Sequence, residues 1–357
     1  MAKLKRVKRP TLREIAELAG VSHTAVSYVV NNVPKVSEET RQRVLAAMNQ
    51  LGYFSAPAPR GAKKTRTNSV GYILPDLTSN FIAGVARGAV PVFDRLGITC
   101  LICDTGMNES LETRIVNRLL ADGVDGIIFH LAAGRRGVQA VLEAGIPLVT
   151  IEDPVSIPDA SVIQVDNEAA AACLVEHLAA LGHRRIGLVC LNADGLVNRQ
   201  RIEGYREALA RHGLGYEEDL VVSLYHFIRK SRPDWEWEPD FSMRIDAYEP
   251  IVSYFLGMNP RPTALICLDY RSTLILHKLF LRSGIGIPEQ LSIAGFDLGP
   301  PVFTVTEFTT IVQPGFEIGT LAAQLLMNMI EDPSFLPQKI TMAARFVEGE
   351  TTGPPPP

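Results

Sequence analysis

The pattern of apolar and polar residues divides the chain into a short helical region and a longer region of alternating strands and helices. Between residues 11 and 51, apolar residues recur at the spacing of one helix face in three short segments. From Val70 onward, short runs rich in β-branched residues alternate with segments of helical length. This alternation predicts βα units, in which parallel sheets are covered by helices on both faces.

The β-branched runs of the long region number ten, and we expect them to form two sheets rather than one. The expected fold class is therefore an all-α head followed by an α/β body with two parallel sheets. The runs cover residues 70–74, 99–103, 124–129, 148–151, 162–165, 186–190, 220–224, 263–268, 291–296 and 309–312.

The helical region contains the start and stop signals of separate short helices. Thr11, followed three residues later by Glu14, predicts a capping box at the start of the first helix. Gly20 is suited to the left-handed residue that ends this helix, and Ser22 is a capping residue for the second one. A helix, a turn containing Gly and a second helix with a polar face are typical of the helix-turn-helix, which places its second helix in the DNA major groove.

The charge of the chain is distributed unevenly. Residues 1–67 contain 13 Lys and Arg against four Glu, a net charge of +9. Because the whole chain carries −4, the remainder carries −13. Neutralisation of phosphates supplies most of the non-specific affinity of a DNA-binding protein, so a basic head on an acidic body indicates a DNA-binding unit joined to a separate sensing unit.

Several other classes of protein are disfavoured. The chain lacks an apolar run of about 18 residues and the apolar segment of an export signal, so we expect a cytoplasmic protein without a membrane span. Five cysteines are too few and odd in number for a disulfide framework. The sequence contains no phosphate-binding loop, zinc-protease helix or nucleophile elbow, so we predict no enzyme activity, no metal and no cofactor.

The amino-acid sequence of the helical region makes the prediction more specific. Residues 11–53 read TLREIAELAGVSHTAVSYVVNNVPKVSEETRQRVLAAMNQLGY, and this segment closely resembles the DNA-binding headpiece of the lactose/galactose-repressor (LacI-type) transcription factors. The resemblance implies that three side chains face base edges, namely those of His23, Thr24 and Tyr28. It also implies that the following residues contact the DNA backbone and fix the register of the protein on the duplex: Thr11, Ser22, Ser27, Asn31 and Tyr53. The family commonly has Arg where this chain has Tyr28, so we expect a different preference at the base pair concerned.

The headpiece, residues 1–53, is followed by a hinge or linker at 54–68. In the family this segment forms a hinge helix that orders on DNA and inserts a Leu into the minor groove. Here Ala62 matches that Leu, and Pro57 and Pro59 interrupt the expected helix. Two alternatives stay open: an extended hinge in which Arg60, Lys63, Lys64 and Arg66 touch phosphates, or an unstructured tether.

The body resembles the effector domain of the same family, which is shared with periplasmic sugar-binding proteins. The resemblance implies two similar lobes, three chain crossings and a ligand in the cleft between the lobes. We expect the domain at 69–351, with a first lobe at about 69–165 and 314–331 and a second at about 166–312 and 335–351. A disordered tail is expected at 352–357.

Ligands of such folds lie at the carboxyl ends of strands. An Arg and carboxylates that face each other across a cleft suit a polyhydroxylated ligand, and an aromatic ring can lie against the apolar face of a sugar. The effector contacts predicted from strand ends and from the resemblance are Asp76, Phe81, His130, Glu152, Arg199, Asp269 and Gln313.

The sequence therefore predicts a transcriptional regulator, more specifically a repressor, that binds a pseudo-palindromic double-stranded DNA operator. We expect it to act as a homodimer or a tetramer under control of a sugar or similar small molecule. Two alternatives stay open: a cytoplasmic small-molecule-binding protein without DNA function, and an enzyme on a doubly wound fold. Residues 226–240, which look inserted relative to the family, form either a lid over the cleft or an exposed loop.

Overall fold

The chain folds into a three-helix head and a body built on two six-stranded sheets. The computed structural model describes residues 11–30, 35–51, 66–130, 135–152, 160–231, 244–298 and 305–357. Within these residues, no helix is both long and apolar enough to cross a membrane.

The head consists of α1 (Leu12–Ala19), α2 (His23–Val30) and α3 (Glu38–Gln50). The predicted capping box is present, since the Thr11 hydroxyl accepts from the backbone N–H of Glu14, and the Glu14 carboxylate accepts from the backbone N–H of Thr11. Gly20 ends α1 with a φ of 64°. The head has a small core of its own, which consists of Ile15, Ala16, Ala19, Val26, Val29, Val44, Ala47 and Met48.

The body follows the predicted alternation of strands and helices. All ten predicted strands are present, with bounds that differ by no more than about two residues, the usual uncertainty of such bounds. In chain order the elements are β1 (Ser69–Leu74), α4 (Asn80–Arg95), β2 (Thr99–Asp104), α5 (Glu109–Asp122), β3 (Gly126–His130), α6 (Arg135–Glu143), β4 (Leu148–Ile151), β5 (Ser161–Val165), α7 (Asn167–Ala180), β6 (Ile186–Cys190), α8 (Leu196–Arg211), β7 (Val221–Ser223), α9 (Leu224–Ser231), α10 (Glu249–Leu256), β8 (Ala264–Cys267), α11 (Tyr270–Arg282), β9 (Ser292–Phe296), β10 (Thr309–Val312), α12 (Gly315–Glu331), β11 (Lys339–Met342) and β12 (Arg345–Val347).

The two sheets define two lobes. The first lobe contains the sheet β11-β5-β4-β3-β1-β2, in which every neighbouring pair is parallel. The second lobe contains β12-β10-β9-β8-β6-β7, which is parallel except for the pair β10 and β12. The chain passes between the sheets after β5, after β10 and after β11, so the strands of each lobe come from distant parts of the sequence.

Glycines allow the helices of each lobe to pack with their backbones in close approach. A Cβ at Gly88 of α4 would lie 2.0 Å from the carbonyl oxygen of Phe316, and one at Gly319 of α12 would lie 1.9 Å from that of Val85. In the second lobe, a Cβ at Gly204 of α8 would lie 2.1 Å from the carbonyl oxygen of Glu168. Only glycine fits at these contacts, and Gly204 thereby fixes which face of α8 is turned toward α7.

The C-terminal segment differs from the prediction. Residues 335–351 were expected in the second lobe, but β11 pairs with β5 in the first sheet and only β12 joins the second. Two short strands with a crossing between them replace the single final strand, because each completes the edge of a different sheet.

The expected disorder of residues 352–357 is also wrong. The Gly353 N–H donates to Ser292 Oγ at 3.0 Å, and its carbonyl oxygen lies 2.9 Å from Nε2 of the fully buried His183. The other ring nitrogen of His183 lies 2.8 Å from the Thr263 hydroxyl. The tail is therefore held by polar groups of the second lobe, which the run of prolines alone does not reveal.

We expect removal of residues 352–357 to lower the free energy of unfolding by about 2 kcal/mol, because His183 and Ser292 would lose buried hydrogen-bond partners. Urea titration of the truncated and full-length chains measures the difference. Removal of residues 356 and 357 alone serves as the control, since it keeps Gly353. Equal stability of all three chains would contradict the role assigned to this segment.

Candidate ligand cleft and nucleic-acid interface

The carboxyl ends of strands from both sheets face each other across a cleft. Asp76 follows β1 in the first lobe, and Arg271 is the second residue of α11, the helix after β8 in the second lobe. The side chains of Asp76 and Arg271 form an ion pair. A second contact joins the lobes, where the Asn80 side-chain amide donates to the carbonyl oxygen of Asp297 at 3.0 Å. The predicted convergence of strand ends is therefore present.

A buried polar network lies where the chain passes from the first lobe to the second. The Glu152 carboxylate accepts from the backbone N–H of Val165 at 2.8 Å and from the side-chain amide of Asn167 at 2.9 Å. The Asn167 side-chain oxygen accepts from Arg201 Nε at 2.8 Å. Arg201 also donates to the carbonyl oxygen of Leu268 at 2.6 Å. One arginine therefore links α7, α8 and the end of β8.

Arg201 also connects this network to the ends of β8 and β9. Its guanidinium lies 4.0 Å from the centre of the Phe296 ring, and it attracts Asp297, Glu152 and Asp269. Burial raises the pKa of Glu152 and of Asp297, although hydrogen bonds and Arg201 oppose the rise. Burial likewise lowers the pKa of Arg201. The positive charge of Arg201 and the negative charges of Glu152 and Asp297 therefore compensate one another where water does so poorly.

Gln313 connects the end of β10 to this network. Its backbone N–H donates to Asp297 Oδ1 at 3.2 Å, and its side-chain amide donates to Asp297 Oδ2. Its side-chain oxygen is buried and has no hydrogen-bond partner among the described residues. Gln313 therefore lies where predicted, with one acceptor left for another group.

His130 ends β3 inside the cleft and is almost completely buried. The ring of Phe81 meets it edge to face, with the ring centres 5.5 Å apart. Burial lowers the pKa of His130 to about 4, so the ring is neutral at neutral pH. Its Nδ1 atom is buried and has no hydrogen-bond partner among the described residues. The structure thus brings together His130 and Phe81, which were separate predictions.

His130 should make stability depend on pH. Its pKa in the folded chain lies below the ordinary value, so its stabilising contribution is complete above the ordinary pKa of about 6.5 and is lost as pH falls toward about 4. We expect His130→Phe, which keeps an aromatic ring, to reduce the loss of unfolding free energy between these pH values by about 3 kcal/mol. Urea titrations at a series of pH values measure this, and parallel curves for the two chains would contradict it.

Asp269 follows β8 as predicted and caps α11. Its carboxylate accepts from the Ser272 N–H at 2.9 Å and from the Ser272 hydroxyl at 2.6 Å. Both oxygens of this carboxylate are thereby fixed in orientation by the first turn of the helix that it starts.

Arg199 does not lie with these groups. It is exposed and lines a surface cavity of about 670 Å³ beside β7, α8 and α9. Residues two apart on a helix point in nearly opposite directions, so the arginine in the cleft is Arg201. The sequence carried a signal for this, because Arg201 is in phase with Gly204, Tyr205 and Ala208 on the buried face of α8.

The predicted DNA-reading helix exposes the expected face. Ser22, His23 and Thr24 are exposed, and Ser27 and Tyr28 are partly exposed, whereas Val26 and Val29 point into the head. The Ser22 hydroxyl accepts from the Ala25 N–H at 3.1 Å, so it caps α2 as predicted. Lys35 adds positive charge on this side, with its ammonium group 5.7 Å from the centre of the Tyr28 ring.

Some predictions lie outside the described residues. They concern Asn31, Tyr53, Arg60 and Lys63 as DNA contacts, the hinge at Pro57 to Ala62, and most of the segment 226–240. Among the residues that the structure does describe, no group of three or more His, Cys, Asp or Glu side chains is placed to hold a metal ion.

Comparison with known families supports both parts of this organisation. Residues 11–55 match the family described as bacterial regulatory proteins, lacI family. Residues 67–231 match the periplasmic binding proteins and sugar-binding domain of the LacI family, and residues 175–352 match a periplasmic binding protein-like domain. The chain belongs to the lacI family. As a lacI-family protein it is a DNA-binding transcriptional regulator with a small-molecule effector domain.

The lacI-family relatives are similar over nearly their whole length. Catabolite control protein A of Priestia megaterium is 29% identical over 324 residues, which are 88% of this chain and 91% of that protein. The regulator DegA of Bacillus subtilis is 28% identical over 360 residues, covering 97% of this chain and 99% of the relative. DegA is named as a transcriptional regulator of the helix-turn-helix type.

Solved structures of the lacI family share the fold. The transcriptional regulator CelR in complex with cellobiose is 25% identical, covers 96% of this chain and 100% of its own, and superposes with a TM-score of 0.70. The lac repressor dimer bound to operator and the anti-inducer ONPF is 22% identical, covers 97% of this chain and 100% of its own, and has a TM-score of 0.64. The latter likeness concerns the fold alone.

Proposed function

We propose that this regulator is a repressor that reads its operator through α2 and whose operator affinity is set by an uncharged, hydroxyl-bearing metabolite in the cleft. The observation that carries the proposal is the exposed polar face of α2 on a capped helical head with its own core. A cytoplasmic binding protein without DNA function would not need such a head, and the positive charge of residues 1–67 favours contact with phosphates.

The polar atoms of the cleft support an effector with hydroxyl groups. The described residues leave His130 Nδ1, Gln313 Oε1 and Arg271 Nε buried without hydrogen-bond partners. Buried polar atoms are normally paired, so these atoms indicate groups that a bound molecule would satisfy. The set includes an acceptor and a donor, and hydroxyl groups can act as both.

The charges of the cleft argue against an anionic effector. Two arginines, Arg201 and Arg271, face four carboxylates at or near the strand ends, namely Asp76, Glu152, Asp269 and Asp297. A phosphate or carboxylate on the ligand would add to an existing excess of negative charge. We therefore favour neutral sugars and related polyols over sugar acids and sugar phosphates, a class that includes the cellobiose bound by CelR.

A thermal-shift series tests the class of effector. Neutral sugars should be compared with their own acid and phosphate derivatives at equal concentration. A ligand present at about 100 times its Kd stabilises the folded chain by about 2.7 kcal/mol, which such a series detects readily. Stabilisation by the anionic derivatives alone would exclude a neutral effector.

The edge of the first sheet supports a homodimer. On the edge strand β2, Leu101 is 37% exposed and Ile102 is 41% exposed, and Leu96 and Met107 beside this strand are also exposed. An uncovered edge strand with apolar side chains favours association. A second copy of this chain, with its own headpiece, would bind the second half-site of an operator.

Control by the effector then follows from spacing. The half-sites of a duplex must be about one helical turn apart, or a multiple of this distance. A change in the relative orientation of the lobes, transmitted through first lobes that contact each other, would alter the distance between the two headpieces. A small change in this distance converts into a loss of operator affinity.

Tyr28 tests the assignment of α2 as the reading helix. If it contacts a base, Tyr28→Ala should reduce discrimination at one base pair by about 1–3 kcal/mol, measured by fluorescence anisotropy on a selected operator and its single-base variants. Tyr28→Phe is the matched control, because it keeps the ring that packs near Lys35. An equal loss of affinity on every sequence would identify Tyr28 as a packing or phosphate-contacting residue.

A further inference from the structure

Residues at the start of α11 reach across the cleft and bind the loop after β1. The Arg271 guanidinium pairs with the Asp76 carboxylate and donates to the Thr78 hydroxyl. The Tyr270 hydroxyl donates to the backbone carbonyl oxygen of Thr78 at 2.8 Å. Tyr270 and Arg271 belong to the second lobe and residues 76–78 to the first, so these bonds join the two lobes directly.

Both partners are held in place before they meet. The Asp76 carboxylate accepts from the Thr78 N–H at 2.8 Å and from the Thr78 hydroxyl at 2.7 Å, which fixes its orientation within the first lobe. Arg271 is the second residue of α11, two residues after the capping residue Asp269, and its guanidinium lies 5.1 Å from the centre of the Tyr270 ring. Little rotational freedom is therefore lost when the two groups pair.

The ion pair is shielded from water. The side chain of Arg271 is 12% exposed and that of Asp76 is 23% exposed. An exposed ion pair contributes little, but a shielded one with additional hydrogen bonds to both partners contributes more, and loss of one partner leaves a charge uncompensated. Burial acts to raise the pKa of Asp76, but the hydrogen bonds from Thr78 and from Arg271 together keep this pKa below its usual value.

We propose that Tyr270 and Arg271, bound to residues 76–78, form a latch that holds the two lobes closed before any effector is present. The hydrogen bond from Asn80 to the Asp297 carbonyl oxygen lies in the same interface between the lobes and forms when the lobes are closed. Asp76, which was expected to contact the effector, is occupied by Arg271.

The latch changes what an effector must do, and this consequence rests on the proposed function. A molecule whose hydroxyl groups bind Asp76 has to displace Arg271 first. Its apparent affinity is then reduced by the fraction of chains in which the latch is open. Residues 270 and 271 thereby set a threshold for the response.

Hydrogen-exchange mass spectrometry on the full chain, without DNA or effector, tests the latch. Arg271→Met should accelerate amide exchange about tenfold in peptides from both sides of the cleft, covering 74–82, 268–274 and 295–298; this factor corresponds to loss of one charge-assisted hydrogen bond. Arg118→Met is the control, because Arg118 pairs with Asp122 within one helix of the first lobe. Acceleration confined to 268–274 would overturn the proposal, since a local role of Arg271 would affect only its own helix.

Two further variants keep the test decisive if Arg271→Met folds poorly. Tyr270→Phe removes a single hydroxyl and should accelerate the same peptides to a smaller extent. The exchange of charges in Asp76→Arg with Arg271→Asp should restore slow exchange in part. Exchange rates in Tyr270→Phe equal to those of the original chain, with no restoration by the charge exchange, would refute the latch while leaving operator binding to be judged on its own measurement.

Discussion

Arg201→Met is expected to lower the free energy of unfolding by about 3–5 kcal/mol, the usual cost of removing one partner from a buried group of charges. Methionine fills much of the same volume, so the loss comes mainly from charge. Glu152 and Asp297 would each lose the attraction of the only guanidinium that the structure places within their network. Asn167 and the Leu268 carbonyl oxygen would lose hydrogen bonds as well.

The loss of unfolding free energy caused by Arg201→Met should also depend on pH. Without Arg201, the pKa values of the two buried acids should rise further, and protonation would relieve the uncompensated charge. The deficit of the variant should therefore shrink as pH falls from about 7 toward 5. Arg199→Met is the matched control on the same helix, since Arg199 is exposed. A similar loss in both variants, or a loss in neither, would contradict the placement of Arg201 in the network.

Ile102→Lys is expected to convert the proposed homodimer to a monomer and to weaken operator binding by about 100-fold or more, because binding of the second headpiece would no longer be intramolecular. Ile102 is 41% exposed on the edge strand of the first sheet. A lysine there would have to be buried without a partner in a symmetric contact, where it would also face its own copy. Light scattering measures the mass, and anisotropy measures the affinity.

Leu281→Lys is the matched control for this variant. Leu281 is 47% exposed on α11 of the second lobe, so the same change of side chain is made on another surface. Loss of mass and affinity in Leu281→Lys but not in Ile102→Lys would place the contact between copies elsewhere on the chain.

The structural features that depend only on residues close together in the sequence were predicted correctly. The capping box at Thr11, the left-handed Gly20 and the strands from Val70 onward all rest on local patterns, and each is present. The carboxyl ends of parallel strands meet at one edge of a sheet. This is why the following residues lie at or just after the ends of strands, as predicted: Asp76, His130, Glu152, Asp269 and Gln313. Whether they bind an effector stays a prediction.

The parts that were missed depend on contacts between distant residues. Arg199 was chosen instead of Arg201 because a motif position was matched without its helical phase. The pairing of β11 with β5 joins residues that are about 177 positions apart in the sequence. The ion pair between Arg271 and Asp76 joins residues that are 195 positions apart. No local pattern indicates such partners. The tail after Thr352 packs because His183 and Ser292 provide polar groups at its position, which the prolines do not signal.

The most direct test of the central claim is the affinity of the full chain for a duplex selected from a random library, compared with a scrambled duplex at the same salt concentration. Specific readout by α2 in a dimer predicts binding at least about 1,000-fold tighter to the selected duplex. Equal affinity for both duplexes, with the same dependence on salt, would mean that the basic head contacts phosphates only, and the account of this protein as an operator-reading regulator would fail.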